Sequence, residues 1–175
     1  RVVYVDNDPV VMAYARALLT SNVAGGCDYI EADVRDSAAI VRQASRVLDF
    51  SQPVAVLLLA VLHLVPDVGD PIKIVESLAG ALAPGSYLAI SHMTADFAPR
   101  EVTAAVDAYN GLAPVPVTPR AHAQVLALFG GLPLLTPGLV RVTHWRPNAP
   151  LPHRQPCDLH AGVTRIPGDW ADEHT

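Results

Sequence analysis

Val2-Val3-Tyr4-Val5-Asp6-Asn7-Asp8-Pro9 is a short apolar run that ends in an acidic turn and a helix start. Four consecutive apolar or aromatic residues suit a strand covered on both faces. Asp8 is a natural N-cap, and Pro9 fits the first helical position, where its missing N–H costs nothing. The helix that follows carries Val11, Tyr14, Ala15 and Leu18 on the face expected to point inward. Strand, acidic turn and helix in this order are half of a strand-helix-strand unit.

The rest of the chain repeats that unit. Residues 29–33 read as a second strand, and Asp36 or Ser37 caps a helix with Ile40, Val41, Ala44, Val47 and Leu48 inward. The apolar run 54–62 reads as a fully buried strand. Asp70-Pro71 opens a helix with Ile72, Val75, Leu78, Ala79 and Leu82 inward, and Pro84-Gly85 turns into a strand over 87–91. Alternating strands and helices predict a doubly wound, Rossmann-like α/β fold with a mostly parallel sheet. Helices are expected over 99–109 and 118–129. Residues 132–135 and 139–145 flank Thr136-Pro137-Gly138 and read as an antiparallel hairpin. Residues 1–147 form the expected core, and 148–175, rich in proline and polar residues, a surface tail of the same domain.

Composition narrows the function. The 175 residues are 51% hydrophobic, enough for one globular domain, and the net charge is −5. Lys73 is the only lysine. An acidic chain without clustered basic residues argues against a nucleic-acid partner. The longest apolar run falls well short of the roughly 20 residues that span a bilayer, which argues against a membrane partner. Cys27 and Cys157 are far apart and form no disulfide framework, as in a reduced, cytoplasmic protein. The abundance of Ala, Arg, Pro and Val suits a GC-rich bacterial genome.

Ligands of an open α/β sheet bind at the carboxyl ends of its strands. Asp6 falls there, and its carboxylate can accept from both hydroxyls of a ribose; the alternative is that Asp6 and Asp8 only cap the helix. Asp33 ends the next strand and could accept from an adenine amino group while the Val34 amide donates to the ring; a turn aspartate is the alternative. His63 follows the buried run, and an imidazole with a pKa near 6.5 suits a general base. It could equally pack without handling protons. His92 lies at the following strand end. His153, Cys157, Asp158 and His160 have an irregular spacing, and no metal is expected there.

Several of these stretches together resemble class I S-adenosylmethionine-dependent methyltransferases. Residues 3–9 resemble their second strand and Glu31-Ala32-Asp33-Val34-Arg35-Asp36 their third-strand motif. Leu62-His63-Leu64-Val65-Pro66-Asp67 resembles the region after the fourth strand, and Leu82-Ala83-Pro84-Gly85-Ser86-Tyr87-Leu88 the approach to the fifth. An uncharacterised actinobacterial methyltransferase family is the closer match, over nearly the whole chain. The resemblance implies S-adenosylmethionine as cofactor, with Asp6, Asn7, Asp33, Val34, Ala60 and Val61 around it. It implies methyl transfer to a small molecule, and His63, in a Leu-His-x-x-x-Asp setting, as the base of an O-methylation. A family strand order of third, second, first, fourth, fifth, seventh, sixth implies a central first strand, with its glycine-rich turn, upstream of residue 1. Val2–Val5 should then not pair directly with the 54–62 strand.

Three other readings compete. A receiver domain needs a phosphoacceptor aspartate after its third strand and a lysine after its fifth; Leu62-His63 and a helical Lys73 supply neither. A cofactor-binding but catalytically silent regulator has the same fold, because methyl transfer can proceed by orientation alone. A nicotinamide-dependent dehydrogenase is the third.

Overall fold

The computed structural model describes residues 1–18, 25–147 and 157–168. The described residues contain five α-helices and six strands, which alternate from β1 to β4 as expected. β1 (Val2–Asp6) runs into α1 (Pro9–Leu18), and β2 (Cys27–Glu31) into α2 (Ser37–Ala44). β3 (Ala55–Leu59) is followed by 3-10 turns, α3 (Pro71–Gly80) and β4 (Tyr87–Met93). Next come α4 (Pro99–Asn110), α5 (His122–Ala127), β5 (Val140–Arg141) and β6 (Leu159–Arg165).

The helix starts follow from local chemistry. Asp8 Oδ1 accepts from the Val10 amide at 2.8 Å, and Asp36 Oδ1 from the Ala39 amide at 3.1 Å. Asp70, in a left-handed conformation, accepts from the Lys73 amide ahead of Pro71. Each bond satisfies an orphan donor of a first helical turn.

β1 and β2 pair in parallel from Val2↔Cys27 to Asp6↔Glu31. The other strands are ordered β3-β4-β6-β5, with β3 and β4 parallel and β6 antiparallel to both its neighbours. Among the described residues β1 and β3 are not paired with each other. In the family's strand numbers the two sheets read third-second and fourth-fifth-seventh-sixth, which agrees with the order that the resemblance implies.

The largest core cluster joins Leu58, Leu62, Val65, Ile74, Val75 and Leu78 to Leu88, Ile90, Phe129 and Leu139. It ties β3, α3 and β4 to the chain after α5.

Several expectations need correction. Residues 148–175 are not a surface tail throughout, because β6 lies between β4 and β5 and pairs with β4 over seven residues. Its inward positions are His160, Gly162 and Thr164, so the strand lacks an apolar alternation. Residues 132–135 and 139–145 do not form a hairpin with each other. Leu134 bridges to Thr164, while Val140 and Arg141 pair with Ala161 and His160. The antiparallel pairing foreseen at this end of the sheet is present, with β6 as partner to both. The run 54–62 is not fully buried: Leu57 and Leu59 are 63% and 57% exposed and alternate with buried Leu58, so one face of β3 is uncovered among the described residues. In α1 the buried residue is Met12, while Val11, Tyr14 and Leu18 are exposed. The helix expected over 118–129 shortens to α5, and β2 ends two residues before Asp33.

Candidate functional site

The carboxyl ends of β1, β2 and β3 hold the residues singled out for a nucleotide. Asp6 is half-buried, and its Oδ1 accepts from the Asp8 amide at 2.9 Å. Its carbonyl accepts from the Ala32 amide at 3.0 Å, which closes β1 onto the turn after β2. Asp8 does the capping, so the carboxylate of Asp6 is not consumed by that task.

Asp33 sits in the turn after β2 and faces Arg35. Arg35 Nε donates to Oδ1 at 2.8 Å and Nη2 to Oδ2, while the Arg35 amide also reaches Oδ1 at 2.9 Å. These bonds hold the Asp33 carboxyl down at about 2, and the nearby Asn7 side chain lowers it slightly further. The parallel register and the Ala32-to-Asp6 bond bring the ends of β1 and β2 side by side. The hydrogen bonds of this turn use the amides of Arg35 and Asp36 and leave that of Val34 out.

Ala60 follows β3 at a φ of 54°, a left-handed conformation that costs a non-glycine residue about 1–2 kcal/mol. Its amide is held by Ser91, at 3.1 Å from the carbonyl and 3.0 Å from Oγ. The chain then turns sharply through Val61 into the 3-10 turn Leu62–Leu64.

That turn places His63 inside, 7% exposed, edge-on to His92 with ring centroids 5.7 Å apart. Burial, and then the Arg120 charge, lower the His63 pKa. Its Nδ1 is buried without a hydrogen-bond partner among the described residues. His92 is fully buried, and its pKa is pushed down to about 4, mainly by desolvation.

Sequence reasoning missed the groups around this pair. Arg120 is 4% exposed and binds His92, two loop carbonyls and Asp67. Asp96 Oδ2 accepts from His160 Nε2 at 2.9 Å and from the His122 amide at 2.8 Å. The His160 bond is the main reason the Asp96 carboxyl lies below its usual range. Phe97 packs edge-on against His160, and the Arg141 guanidinium stands 3.9 Å from the Phe97 ring centre. No local motif announced Arg120. The only signal at His160 was its place in the irregular His/Cys/Asp cluster. His153 lies outside the described residues, and those described contain no group of three or more metal-ligating side chains.

Over residues 1–167 the sequence matches the family described as S-adenosyl methyltransferase. The fold is similar to a DUF574 family protein of Streptomyces avermitilis, with a TM-score of 0.87 and 38% identity over 94% of this chain and 64% of that one. It is also similar to a Thermobifida fusca protein, with a TM-score of 0.83 and 32% identity over 95% and 63%. The N-methyltransferase NodS of Bradyrhizobium japonicum, in complex with S-adenosyl-L-homocysteine, aligns with a TM-score of 0.57. At 12% identity over 95% of this chain and 67% of NodS, that is a likeness of fold alone. No curated protein matches the sequence. The chain thus spans less than two thirds of the length of the Streptomyces and Thermobifida proteins.

Proposed function

The chain belongs to the S-adenosyl methyltransferase family, and from that premise we propose that it binds S-adenosylmethionine at the carboxyl ends of β1, β2 and β3 and methylates an oxygen of a small molecule. The observation that carries this reading is the parallel register of β1 and β2, closed by the Ala32 amide on the Asp6 carbonyl, which puts Asp6 and the Asp33 turn at one end of the sheet. Asp6 accepts from ribose hydroxyls there, with Asn7 beside it. The adenine edge falls to the Asp33 carboxylate and the Val34 amide. Because Arg35 already occupies Asp33, the carboxylate has fewer lone pairs left for an amino group, and the amide gains weight. Ala60 and Val61 face the same ligand with backbone. The strained conformation of Ala60, braced by Ser91, keeps that turn in one shape.

The cofactor supplies an electrophilic methyl group on a sulfonium. His63 supplies a neutral imidazole, since its pKa is lowered, and in this reading it takes the acceptor's hydroxyl proton. The protein is a cytoplasmic enzyme in this reading, and no helix of the described residues is long and apolar enough to cross a membrane. A second reading draws on one observation: His63 is buried against His92, as a packing residue would be. The protein would then bind cofactor without turnover.

Calorimetry with S-adenosylhomocysteine and with a nicotinamide dinucleotide, followed by labelled-methyl transfer to a panel of hydroxylated small molecules, tests the proposal. Binding of the first ligand alone, with transfer to at least one hydroxyl, is the expected result. Binding without any transfer favours the silent regulator, and binding of the dinucleotide instead removes the proposal.

A further inference from the structure

Arg120 sits in Thr118-Pro119-Arg120, between α4 and α5, and this strip lies across the loop that follows β3. The Thr118 amide donates to the His63 carbonyl at 2.7 Å, and the Arg120 amide to the Met93 carbonyl at 3.0 Å. The guanidinium then reaches four acceptors. Nη1 donates to the Leu62 carbonyl at 3.1 Å and to His92 Nε2 at 2.9 Å. Nη2 donates to the Val65 carbonyl at 2.8 Å and to Asp67 Oδ1 at 2.7 Å. Three of the four acceptors belong to the segment 62–67, and they bracket His63 in sequence.

The chemistry of the neighbours fixes the protonation of His92. Its Nδ1 lies 2.7 Å from the Met93 carbonyl, which can only accept, so Nδ1 carries the hydrogen. Arginine can only donate, so Nε2 presents its lone pair to Arg120. His92 is therefore the neutral Nδ1–H tautomer, and it aims the guanidinium from below while the loop carbonyls receive it from above. The charge is balanced by Asp67, whose side chain is 77% exposed against 4% for Arg120. The fork thus runs from the interior to the surface across the base of the loop. A lysine has one point of donation and cannot span these acceptors.

We propose that Arg120 is a positioning residue for methyl transfer, fixing the 62–67 loop so that the imidazole of His63 is held in one place. The assignment rests on the reading of His63 as the base. Arg120 directs both terminal nitrogens to groups of the protein, so the role assigned to it is exerted through the loop that carries His63.

Hydrogen exchange and kinetics on the full chain test this with Arg120→Lys, Arg120→Met and Asp67→Ala. In Arg120→Met the peptide covering 61–68 should exchange about tenfold faster or more, while the β4 peptide 87–91 keeps its protection. Arg120→Lys should recover only part of that protection, and Asp67→Ala, altered at the exposed end, should lose about twofold or more. S-adenosylhomocysteine affinity should stay within about threefold. Turnover at saturating acceptor should fall about tenfold or more in Arg120→Lys, with an unchanged KM for S-adenosylmethionine. The nitrogen-15 signature of His92 should show the Nδ1–H tautomer in the unaltered chain. Equal loss of protection in 61–68 and 87–91 would reduce Arg120 to a fold residue and overturn the proposal. So would unchanged protection in both Arg120→Lys and Asp67→Ala, or a loosened loop with full turnover. Absence of S-adenosylhomocysteine binding by the unaltered chain would instead sink the functional reading, and the exchange data would still decide the clamp.

Discussion

His92 and His160 are direct cross-strand partners on β4 and β6, and both are buried, yet the groups that hold them carry charges of opposite sign. Arg120 donates to His92, whereas Asp96 accepts from His160. Two identical side chains one strand apart are thus committed to different roles.

For His92 the consequence is a dependence of stability on pH. Its pKa is about 4 in the folded protein against about 6.5 in an unfolded chain. Between those values the unfolded state binds more protons, so stability rises with pH. The contribution of neutral His92 is complete above about pH 6.5 and is lost as pH falls through about 4, to the extent of about 3 kcal/mol. Denaturant unfolding at several pH values in this window should show the slope. His92→Gln, which keeps an acceptor but cannot titrate, should flatten it.

Asp6 and Asp8 separate binding from folding. Asp6→Ala should weaken S-adenosylhomocysteine binding by about 1.5–3 kcal/mol, the worth of hydrogen bonds to a charged acceptor. Asp8→Ala removes the cap on α1 and should cost about 1 kcal/mol of stability. Its effect on affinity should be small. Calorimetry and thermal melting on the two variants make the comparison, and an equal loss of affinity in both would assign the Asp6 effect to the turn.

His63→Ala should lower turnover by about 100-fold or more with cofactor affinity unchanged, if the imidazole takes the acceptor's proton. In the unaltered chain the acid limb of the turnover profile should lie below the ordinary histidine value of 6.5, since the His63 pKa is lowered. Normal turnover at saturation would leave His63 a packing residue.

Gly162 occupies a tight crossing in β6. A Cβ there would meet Phe129 Cζ at 3.1 Å, Leu139 Cδ1 at 3.3 Å and Leu134 Cδ1 at 3.4 Å. Gly162→Ala should therefore destabilise the fold by about 1–3 kcal/mol, as overpacking does, readable as a lower denaturation midpoint. An unchanged midpoint would mean that these three side chains shift without cost.

Much of the first half of the fold was legible because its signals are local. Asp8-Pro9 and Asp70-Pro71 announce helices by capping chemistry, and the strand runs are continuous apolar stretches. β6 was illegible for a physical reason. Its buried positions hold His160, Gly162 and Thr164, with Asp96 meeting His160 Nε2 and the Pro133 carbonyl meeting Thr164 Oγ1. A strand whose inward face is satisfied by long-range hydrogen bonds carries no hydrophobic period. The candidate site divides in the same way. Asp6 and Asp33 lie at strand ends that sequence locates, but Arg120 reaches its acceptors across more than fifty residues of chain, as with Leu62 and Val65. Nothing near Thr118-Pro119 marks it as buried.

The place of β6 also sets a timetable for the chain during its synthesis. β4 is translated long before β6, and β5 has no strand partner until Ala161 and His160 have left the ribosome. Until then the nascent chain carries β4 with one edge unpaired and the chain after α5 without the strand that binds it. Such non-local pairing is slow, because the loop must close before the contacts repay it. The nascent polypeptide is therefore most exposed to edge-to-edge association after β4 has emerged and before β6 has, and binding by a chaperone in that interval would cover the edge that β6 later occupies.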